Sequence, residues 1–312
     1  MLEVASILEG NSAVSWLFTA GIAEACAVRS AGSTKPILAL AYTDGLLSKA
    51  IEHNIDVTVY DYATVQALDT CAAQFKKKAR VHIKVDTGMS RLGLLPHEVM
   101  EFITYVQENY KNIELYGIFT HCADTNNTDL SYTNTQLLLF DTLLEQLKSA
   151  HITIPCVHAL ASGALFLPQK YPMVRVGTAL YGFWKSDVQK KRFLACDPEF
   201  TLYPVLTWKA HVIHVKSGCA VVSVGYADGY PRDLMHNAHV IINGCAAPVL
   251  TLYMNTMVVD IATIADVQVG TQVVVVGDYP GITATDLAQK LGTINNEIVT
   301  RISPTITRYV VP

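Results

Sequence analysis

The feature that most constrains the fold is a regular alternation, over roughly the first 182 residues, of short β-branched runs with stretches of helical periodicity. The β-branched runs lie at 15–19, 37–42, 56–60, 81–86, 115–121, 156–161 and 174–180. Strands that alternate with helices predict parallel β/α units joined by right-handed crossovers. A closed barrel of this kind needs eight strands, and residues 1–9 form a helical pattern with no strand before it. The pattern therefore predicts an α/β fold, a (β/α)8-type barrel that lacks its first strand.

Beyond residue 190 the helical periodicity stops, and short β-branched runs follow one another between turn signals. We expect strands at 212–216, 220–224, 239–242, 257–261, 272–276 and 305–311. One helix is expected near 283–291, where Thr283 suits the N-cap and Asp286 the matching capping-box position. These patterns predict a β/α barrel over residues 1–190 and a mostly β domain over residues 191–312.

The composition excludes several functional classes. Hydrophobic residues make up 51% of the 312 residues and charged residues only 16%, which allows a large core and excludes disorder. A net charge of −4 argues against binding of nucleic acid or anionic membranes by bulk charge. The uncharged stretch between Glu9 and Glu24 is too short to span a bilayer, and the N-terminus lacks the basic segment of a signal peptide. Seven scattered cysteines without a CxxC pair predict reduced thiols in a cytoplasmic protein rather than disulfides or a metal site.

Polar residues cluster at the predicted carboxyl ends of the strands, which form the catalytic face of a β/α barrel. The four clusters are Lys84, Asp86 and Arg91; His121; Ser162; and Arg175 with Gly177 and Thr178. Taken singly, each has a structural explanation, such as a hydrogen-bonded strand-end histidine, a helix cap or a surface ion pair. Four clusters at successive strand ends instead favour one site, and Ser162, Gly177 and Thr178 fall where these barrels commonly hold a phosphate.

The densest motif of the second domain is SVGYADGYPR, at 223–232. Its two glycines and its proline predict a sharp loop that displays Tyr226 and Tyr230. A β-turn with packed tyrosines explains the same residues equally well, and the stretch 252–260 reads as readily as a core strand.

Six segments resemble, in order, the motifs of alanine racemase, a family that places a pyridoxal 5'-phosphate barrel before a β domain. They are KVDTGMSRLG, FTHCADT, HALASGA, MVRVGTALYG, VGYADGYPR and YMNTMVVDI. The resemblance covers essentially the whole chain. It implies a cytoplasmic isomerase that interconverts L- and D-alanine by a two-base pyridoxal-phosphate mechanism and supplies D-alanine for peptidoglycan.

The resemblance also implies roles for individual residues. Tyr226 falls on the base that acts on L-alanine, and a hydrogen-bond chain through His121 to Arg175 would favour its ionised form. Arg175 would face the pyridine nitrogen of the cofactor as a permanently charged donor. Arg91 resembles the arginine beside the cofactor hydroxyl and the substrate carboxylate, and Lys84 matches a lysine that the family often carbamylates.

Further positions imply cofactor and subunit contacts. Ser162, Gly177 and Thr178 fall on the family's phosphate-binding positions. Met254 falls on a methionine that contacts the substrate from the partner subunit of a head-to-tail homodimer, with Tyr226 reaching the other chain's barrel. Asn255 stands where the family usually has an aspartate, and the loss of that charge leaves a serine or broad-specificity racemase as an alternative.

The family's cofactor-linked lysine has no counterpart at the expected place. In the family, the first barrel strand ends in a lysine followed shortly by Ala-Tyr-Gly, and that lysine is the second base. Here the first lysine is Lys35, which precedes Pro36 at the start of a predicted strand, and no Ala-Tyr-Gly occurs near the N-terminus. We therefore expect Met1 to mark an internal start, a truncated gene or an incomplete gene model. A catalytically impaired or inactive racemase-like fragment is the alternative to an active enzyme.

Overall fold

The computed structural model describes residues 1–43, 45–168 and 170–311. The chain divides into two compact units, Met1–Arg175 and Val176–Pro312, and each unit has its own hydrophobic core. The domain boundary expected at residue 190 stays a prediction. In the described part of the chain, no helix combines the length and hydrophobicity that a membrane span needs.

The first unit is built on one sheet of seven parallel strands that follow each other in chain order. They are β1 (Leu17–Thr19), β2 (Ile37–Ala39), β3 (Asp56–Val59), β4 (Ala79–Lys84), β5 (Ile113–Phe119), β6 (Cys156–Ala161) and β7 (Met173–Arg175). Each strand pairs in parallel with the next. The sheet therefore confirms the predicted fold class of seven β/α strands, with β1 and β7 at its outer edges.

One helix precedes β1, and a helix connects each strand to the next from β1 to β6. They are α1 (Leu2–Glu9), α2 (Ile22–Ser30), α3 (Leu47–Glu52), α4 (Tyr62–Gln74), α5 (Val99–Asn109) and α6 (Ser131–Ser149). The apolar residues of α5 recur at the helical spacing and are buried: Val99, Phe102, Ile103 and Val106. Asp61 caps α4, because its carboxylate accepts a hydrogen bond from the Thr64 backbone N–H at 2.7 Å.

Ring contacts show that the sheet curls into a nearly closed barrel. The rings of Phe18 on β1 and His158 on β6 have centroids 6.0 Å apart, although four strands separate them in the sheet. Trp16, just before β1, lies 5.3 Å from His82 on β4. Barrel interiors of this type are dominated by branched apolar side chains. Here the strands also bury polar ones: Asp56, Thr58, His82, Lys84, His158 and Arg175.

The second unit contains a closed antiparallel barrel of six strands. The strands are β8 (Trp208–Lys216), β9 (Cys219–Val222), β10 (His239–Ile242), β11 (Cys245–Leu252), β12 (Met257–Asp260) and β13 (Gln272–Val276). Their order around the barrel is β10-β11-β12-β9-β8-β13. Three helices accompany them: α7 (Asp187–Cys196), α8 (Ala284–Leu291) and α9 (Asn295–Arg301). The expected capping box of α8 is present, with Thr283 accepting from the Asp286 N–H at 3.0 Å.

Three expectations for the second unit are wrong. No strand forms at 305–311, although the sequence alternates there, and no described strand lies beside it. β11 is not expected from the sequence, because Ala246, Ala247 and Pro248 are poor strand formers. Pairing with β10 and β12 on its two sides overrides that preference, with a register shift between Val249 and Thr251 in the pairing with β12. Finally, one helix was expected, but the structure forms three: α8, which matches the expectation, and also α7 and α9.

Candidate active site

Lys84 is the last residue of β4 and lies almost fully buried at the carboxyl end of the strand. Burial, reinforced by the positive charges of Arg91 and Arg175, lowers the pKa of Lys84 to about 8. Its ammonium nitrogen lies 5.8 Å from the centre of the Phe119 ring. A lysine with this pKa is uncharged in a substantial fraction of molecules near neutral pH, so its amine can act as a nucleophile.

The turn after Lys84 is held by one carboxylate. Asp86 accepts hydrogen bonds from the N–H groups of Gly88 at 2.9 Å and Ser90 at 3.0 Å. Burial alone raises the pKa of Asp86, but the backbone N–H groups of residues 88–91 outweigh burial and leave the pKa below its ordinary value. Gly93 has φ +127°, and a Cβ there would lie 2.7 Å from the Asp86 nitrogen, so only glycine fits. This tight turn presents Arg91 at the surface.

Arg175, the last residue of β7, is a buried cation that is held by several hydrogen bonds. Its Nη1 donates to His158 Nδ1 at 2.5 Å, and its Nη2 donates to the carbonyl oxygens of Thr120 and Ala159 at 2.8 Å. His121 Nδ1 lies 3.3 Å from the same Nη2. Burial lowers the pKa of Arg175 to about 10, so the guanidinium remains charged at neutral pH. In the described part of the chain, its Nε–H has no hydrogen-bond partner.

The three residues assigned to a phosphate lie in different settings. Ser162 is buried directly after β6, at the start of a 3-10 turn, Ser162–Ala164. In the second unit, a Cβ built on Gly177 would meet no atom within 4 Å, so space is open beside this backbone. The neighbouring Thr178 Oγ1 is buried without a hydrogen-bond partner among the described residues. A buried hydroxyl next to open space is what a bound oxyanion would satisfy.

Lys35 does not occupy the place of a cofactor-linked lysine. Its ammonium donates to the carbonyl oxygens of Asn11 at 3.2 Å and Val14 at 2.7 Å. These bonds hold Lys35 before the start of β2, whereas Arg175 and Lys84 each end a strand.

In the second unit, the loop that carries Tyr226 is fixed to the loop that carries Met254. The N–H of Tyr226 donates to the Tyr253 carbonyl at 3.1 Å, and the N–H of Ala227 donates to the Met254 carbonyl at 2.8 Å. A Cβ on Gly225 would lie 2.3 Å from the Met254 oxygen, so the two backbones can approach only because residue 225 is glycine. The side chains of Tyr226, Met254 and the next residue, Asn255, are exposed.

An open cavity of about 470 Å³ lies beside this loop. It is lined by Tyr226, Ala227, Gly229, Tyr230, Pro231, Arg232 and Arg301. The guanidinium of Arg232 lies 5.9 Å from the centre of the Tyr226 ring. At this distance the guanidinium and the ring form a cation–π contact.

The sequence interpretation missed two buried histidines, His82 and His158, although His158 opens the motif HALASGA and His82 lies two residues before the motif KVDTGMSRLG. His82 is two residues before Lys84 on β4, and side chains two apart in a strand share one face. That spacing was the available signal. His158 bonds directly to Arg175, so the surroundings of that cation include two histidines rather than the one expected, His121.

Comparisons with known proteins agree over nearly the whole chain. Two family models match, "Alanine racemase, N-terminal domain" over residues 1–184 and "Alanine racemase, C-terminal domain" over residues 207–310. Alanine racemase 1 of Clostridium acetobutylicum is 35% identical, over 98% of this chain and 84% of that protein. The alanine racemase of Methanococcus maripaludis is 36% identical, over 98% of this chain and 87% of that protein.

A solved structure also has a similar fold over nearly the whole chain. The alanine racemase of Clostridium difficile in complex with cycloserine superposes with a TM-score of 0.89 at 34% identity, covering 97% of this chain and 82% of that one.

Proposed function

Because the chain belongs to the alanine racemase family, we propose that it interconverts L- and D-alanine with pyridoxal 5'-phosphate as its cofactor, and so supplies D-alanine for peptidoglycan. The observation that carries this proposal is Arg175. It is a buried, charged guanidinium at a strand end, and its Nε–H is not used by any described hydrogen bond. Such a donor fits a ring nitrogen that accepts one hydrogen bond.

The donor set fits the cofactor at its phosphate as well. The unpartnered Thr178 hydroxyl and the open space at Gly177 suit one end of a phosphate, and we assign Ser162 to the same group. Pyridoxal phosphate, when bound, supplies an electron sink that makes the Cα–H of an attached amino acid acidic. Arg175 would donate a hydrogen bond to the ring nitrogen without giving up its proton, because a guanidinium stays charged. Such a bond would limit the electron withdrawal and favour return of the proton over side reactions.

Lys84 and Arg91 serve the substrate side of the site. At about pH 7, a pKa of about 8 leaves roughly a tenth of the Lys84 side chains as free amine. That amine can add to carbon dioxide and release one proton, which gives a carbamate anion. The anion would turn the guanidinium of Arg91 toward the carboxylate of the substrate.

The base on the L-alanine face is Tyr226 of the partner subunit in a head-to-tail homodimer. Its phenol is exposed on a loop that the backbone bonds to residues 253 and 254 hold in place. As a phenolate, the Tyr226 Oη would accept the Cα proton of L-alanine on one face and return it there in the reverse direction; the proton that arrives on the opposite face has to come from a second group. Met254 and Asn255 are carried on the adjoining loop and would contact the same substrate.

The test replaces Tyr226 by Phe, which removes the hydroxyl and keeps the ring. We expect racemisation of L-alanine to fall roughly 10²- to 10⁴-fold, the usual contribution of one positioned base, while cofactor binding measured by absorbance is unchanged. Tyr279→Phe is the matched control, because Tyr279 and Tyr226 are both 42% exposed. Equal losses in the two variants would refute the assignment of Tyr226. Absence of racemisation by the unaltered 312-residue protein would overturn the proposed function itself.

A further inference from the structure

A continuous chain of hydrogen bonds runs through the first unit. It leads from Arg175 at the carboxyl end of β7 to Asp56 and Arg80 near the amino ends of β3 and β4. Arg175 Nη1 lies 2.5 Å from His158 Nδ1, and His158 Nε2 lies 3.2 Å from His82 Nδ1. His82 Nε2 lies 3.3 Å from Asp56 Oδ2. Arg80 then donates to the same oxygen, from Nη2 at 2.7 Å and from Nε at 3.1 Å. The five side chains come from four strands, β3, β4, β6 and β7.

The two ends of this chain fix the position of every proton in it. A guanidinium can only donate, so His158 Nδ1 accepts from Arg175 and the neutral ring carries its hydrogen on Nε2. That hydrogen can go only to His82 Nδ1, so His82 in turn carries its hydrogen on Nε2. The Asp56 carboxylate can only accept, and it receives that last hydrogen. Both ends therefore demand the same tautomer of both rings.

Burial keeps the two rings neutral. Burial, and then the charge of Arg175, lowers the pKa of His158 well below its ordinary value. Burial is also the largest influence on His82 and lowers its pKa, although Asp56 opposes the shift. The aromatic ring of Phe119 stacks on His158 at 4.7 Å and contributes no competing donor. Charge is thus confined to the ends of the chain, at Arg175 and at the Asp56–Arg80 pair.

The same neighbourhood could suggest a metal site, because ligand atoms of His82, Cys156 and His158 lie within 4.8 Å of one another. Two observations oppose it. The facing nitrogens of the two histidines are already bonded to each other at 3.2 Å. Burial raises the pKa of the Cys156 thiol to about 11, so it is not a thiolate at neutral pH.

We infer that Asp56 and His82 are positioning residues for Arg175: through the fixed tautomer of His158, they hold an acceptor against the guanidinium and so hold its Nε–H in one direction. The inference rests on the proposed function only for its effect on catalysis. If His82 were lost, His158 Nε2–H would have no partner, and the ring could move its hydrogen to Nδ1. It would then turn a donor toward Arg175, and one of the three hydrogen bonds that orient the guanidinium would be gone.

The first test observes the tautomers directly, by NMR of the full chain with 15N-labelled histidine. Single His82 and His158 variants assign the two signals. We expect both rings to show the neutral Nε2–H form without titration from about pH 6 to about pH 8, around the ordinary pKa of histidine. A His158 ring protonated on Nδ1, or one that titrates in this range, would overturn the inference. So would a shift of both signals on addition of Zn²⁺ alone, which would show a metal site instead.

The second test uses two variants of His82. His82→Leu removes both ring nitrogens, whereas the Oδ1 of His82→Asn stands near the place of Nδ1 and can accept from His158. We expect His82→Leu to lower kcat roughly tenfold to a hundredfold, the range for one hydrogen bond to a charged group, with little change in KM. His82→Asn should restore most of kcat and the Nε2–H signal of His158. Failure of Asn to restore either quantity while the protein stays folded, or an unchanged kcat in His82→Leu, would refute the positioning role.

The two proposals fail separately. If the unaltered chain does not racemise alanine but His158 shows the Nε2–H form that His82→Leu removes, the positioning chain stands and the proposed function falls. If the unaltered chain racemises alanine but His158 does not carry its hydrogen on Nε2, the proposed function stands and the positioning chain is refuted.

Discussion

Replacing the buried ammonium of Lys84 by an apolar side chain should make the protein more stable. Lys84 is only 3% exposed, and burial with two nearby cations lowers its pKa from 10.5 to about 8. A pKa shift of this size means that the charged Lys84 side chain destabilises the folded state by about 3 kcal/mol. Met has a similar length and no charge, so Lys84→Met should raise the free energy of unfolding by up to about 3 kcal/mol near pH 7.

The stability difference between Lys84→Met and the wild type should depend on pH. Below about pH 8 the Lys84 side chain is protonated in both states, and the folded protein bears the full cost. Between about pH 8 and 10.5 the unfolded chain still binds a proton that the folded chain has lost, so the wild type gains about 1.4 kcal/mol per pH unit. Above about pH 10.5 both states are neutral, and the advantage of Lys84→Met disappears.

Urea denaturation followed by circular dichroism measures both quantities, in buffers freed of carbon dioxide so that the amine is unmodified. The free energies of unfolding of the wild type and of Lys84→Met are compared near pH 7, 9 and 10.5. The titrating groups that both proteins share contribute equally, so they cancel in the difference. Lys111→Met is the control, because Lys111 is exposed in the loop before β5 and its replacement should change stability by less than about 0.5 kcal/mol. A destabilised Lys84→Met, or a difference that does not vary with pH, would refute the reasoning.

Two further predictions concern the second unit. Gly225→Ala places a Cβ 2.3 Å from the Met254 carbonyl oxygen, so it should lower the free energy of unfolding by about 1–3 kcal/mol and also lower racemase activity. Gly10→Ala is the control and should change neither quantity, because its Cβ meets nothing nearer than 3.8 Å. Equal behaviour of the two variants would contradict the steric argument. Thr283→Ala removes the acceptor for the Asp286 N–H and should lower the urea midpoint by an amount that corresponds to about 1 kcal/mol, whereas Thr283→Ser should retain most of that stability.

Sequence reasoning succeeded where local pattern and tertiary pairing agree. The β-branched runs of the first unit mark its seven strands, and Thr283 with Asp286 marks the start of α8, because these signals act within a few residues. It failed where pairing decides. β11 forms around Pro248 because two neighbouring strands accept it, while 305–311 alternates in sequence but finds no described strand to pair with.

The candidate site shows the same limit. The motifs around Arg175 and His121 mark which side chains end the strands, and the structure places the two 3.3 Å apart. Nothing in the motifs shows that His82 and His158 bond to each other, because 76 residues separate them in the chain. Such contacts depend on how far the sheet curls, which is a property of all seven strands together.

The attachment of the Tyr226 loop to the Met254 loop has a consequence for how the protein can evolve. Both bonds that join the loops use main-chain carbonyl groups, those of residues 253 and 254, rather than side chains. Mutation can therefore change the side chains at positions 254 and 255 without releasing the tyrosine that we propose as the base. Selection for a different amino acid could proceed through single substitutions at these two positions, each leaving the proton-transfer group where it was. Substrate preference and proton transfer would then depend on different residues of these two joined loops.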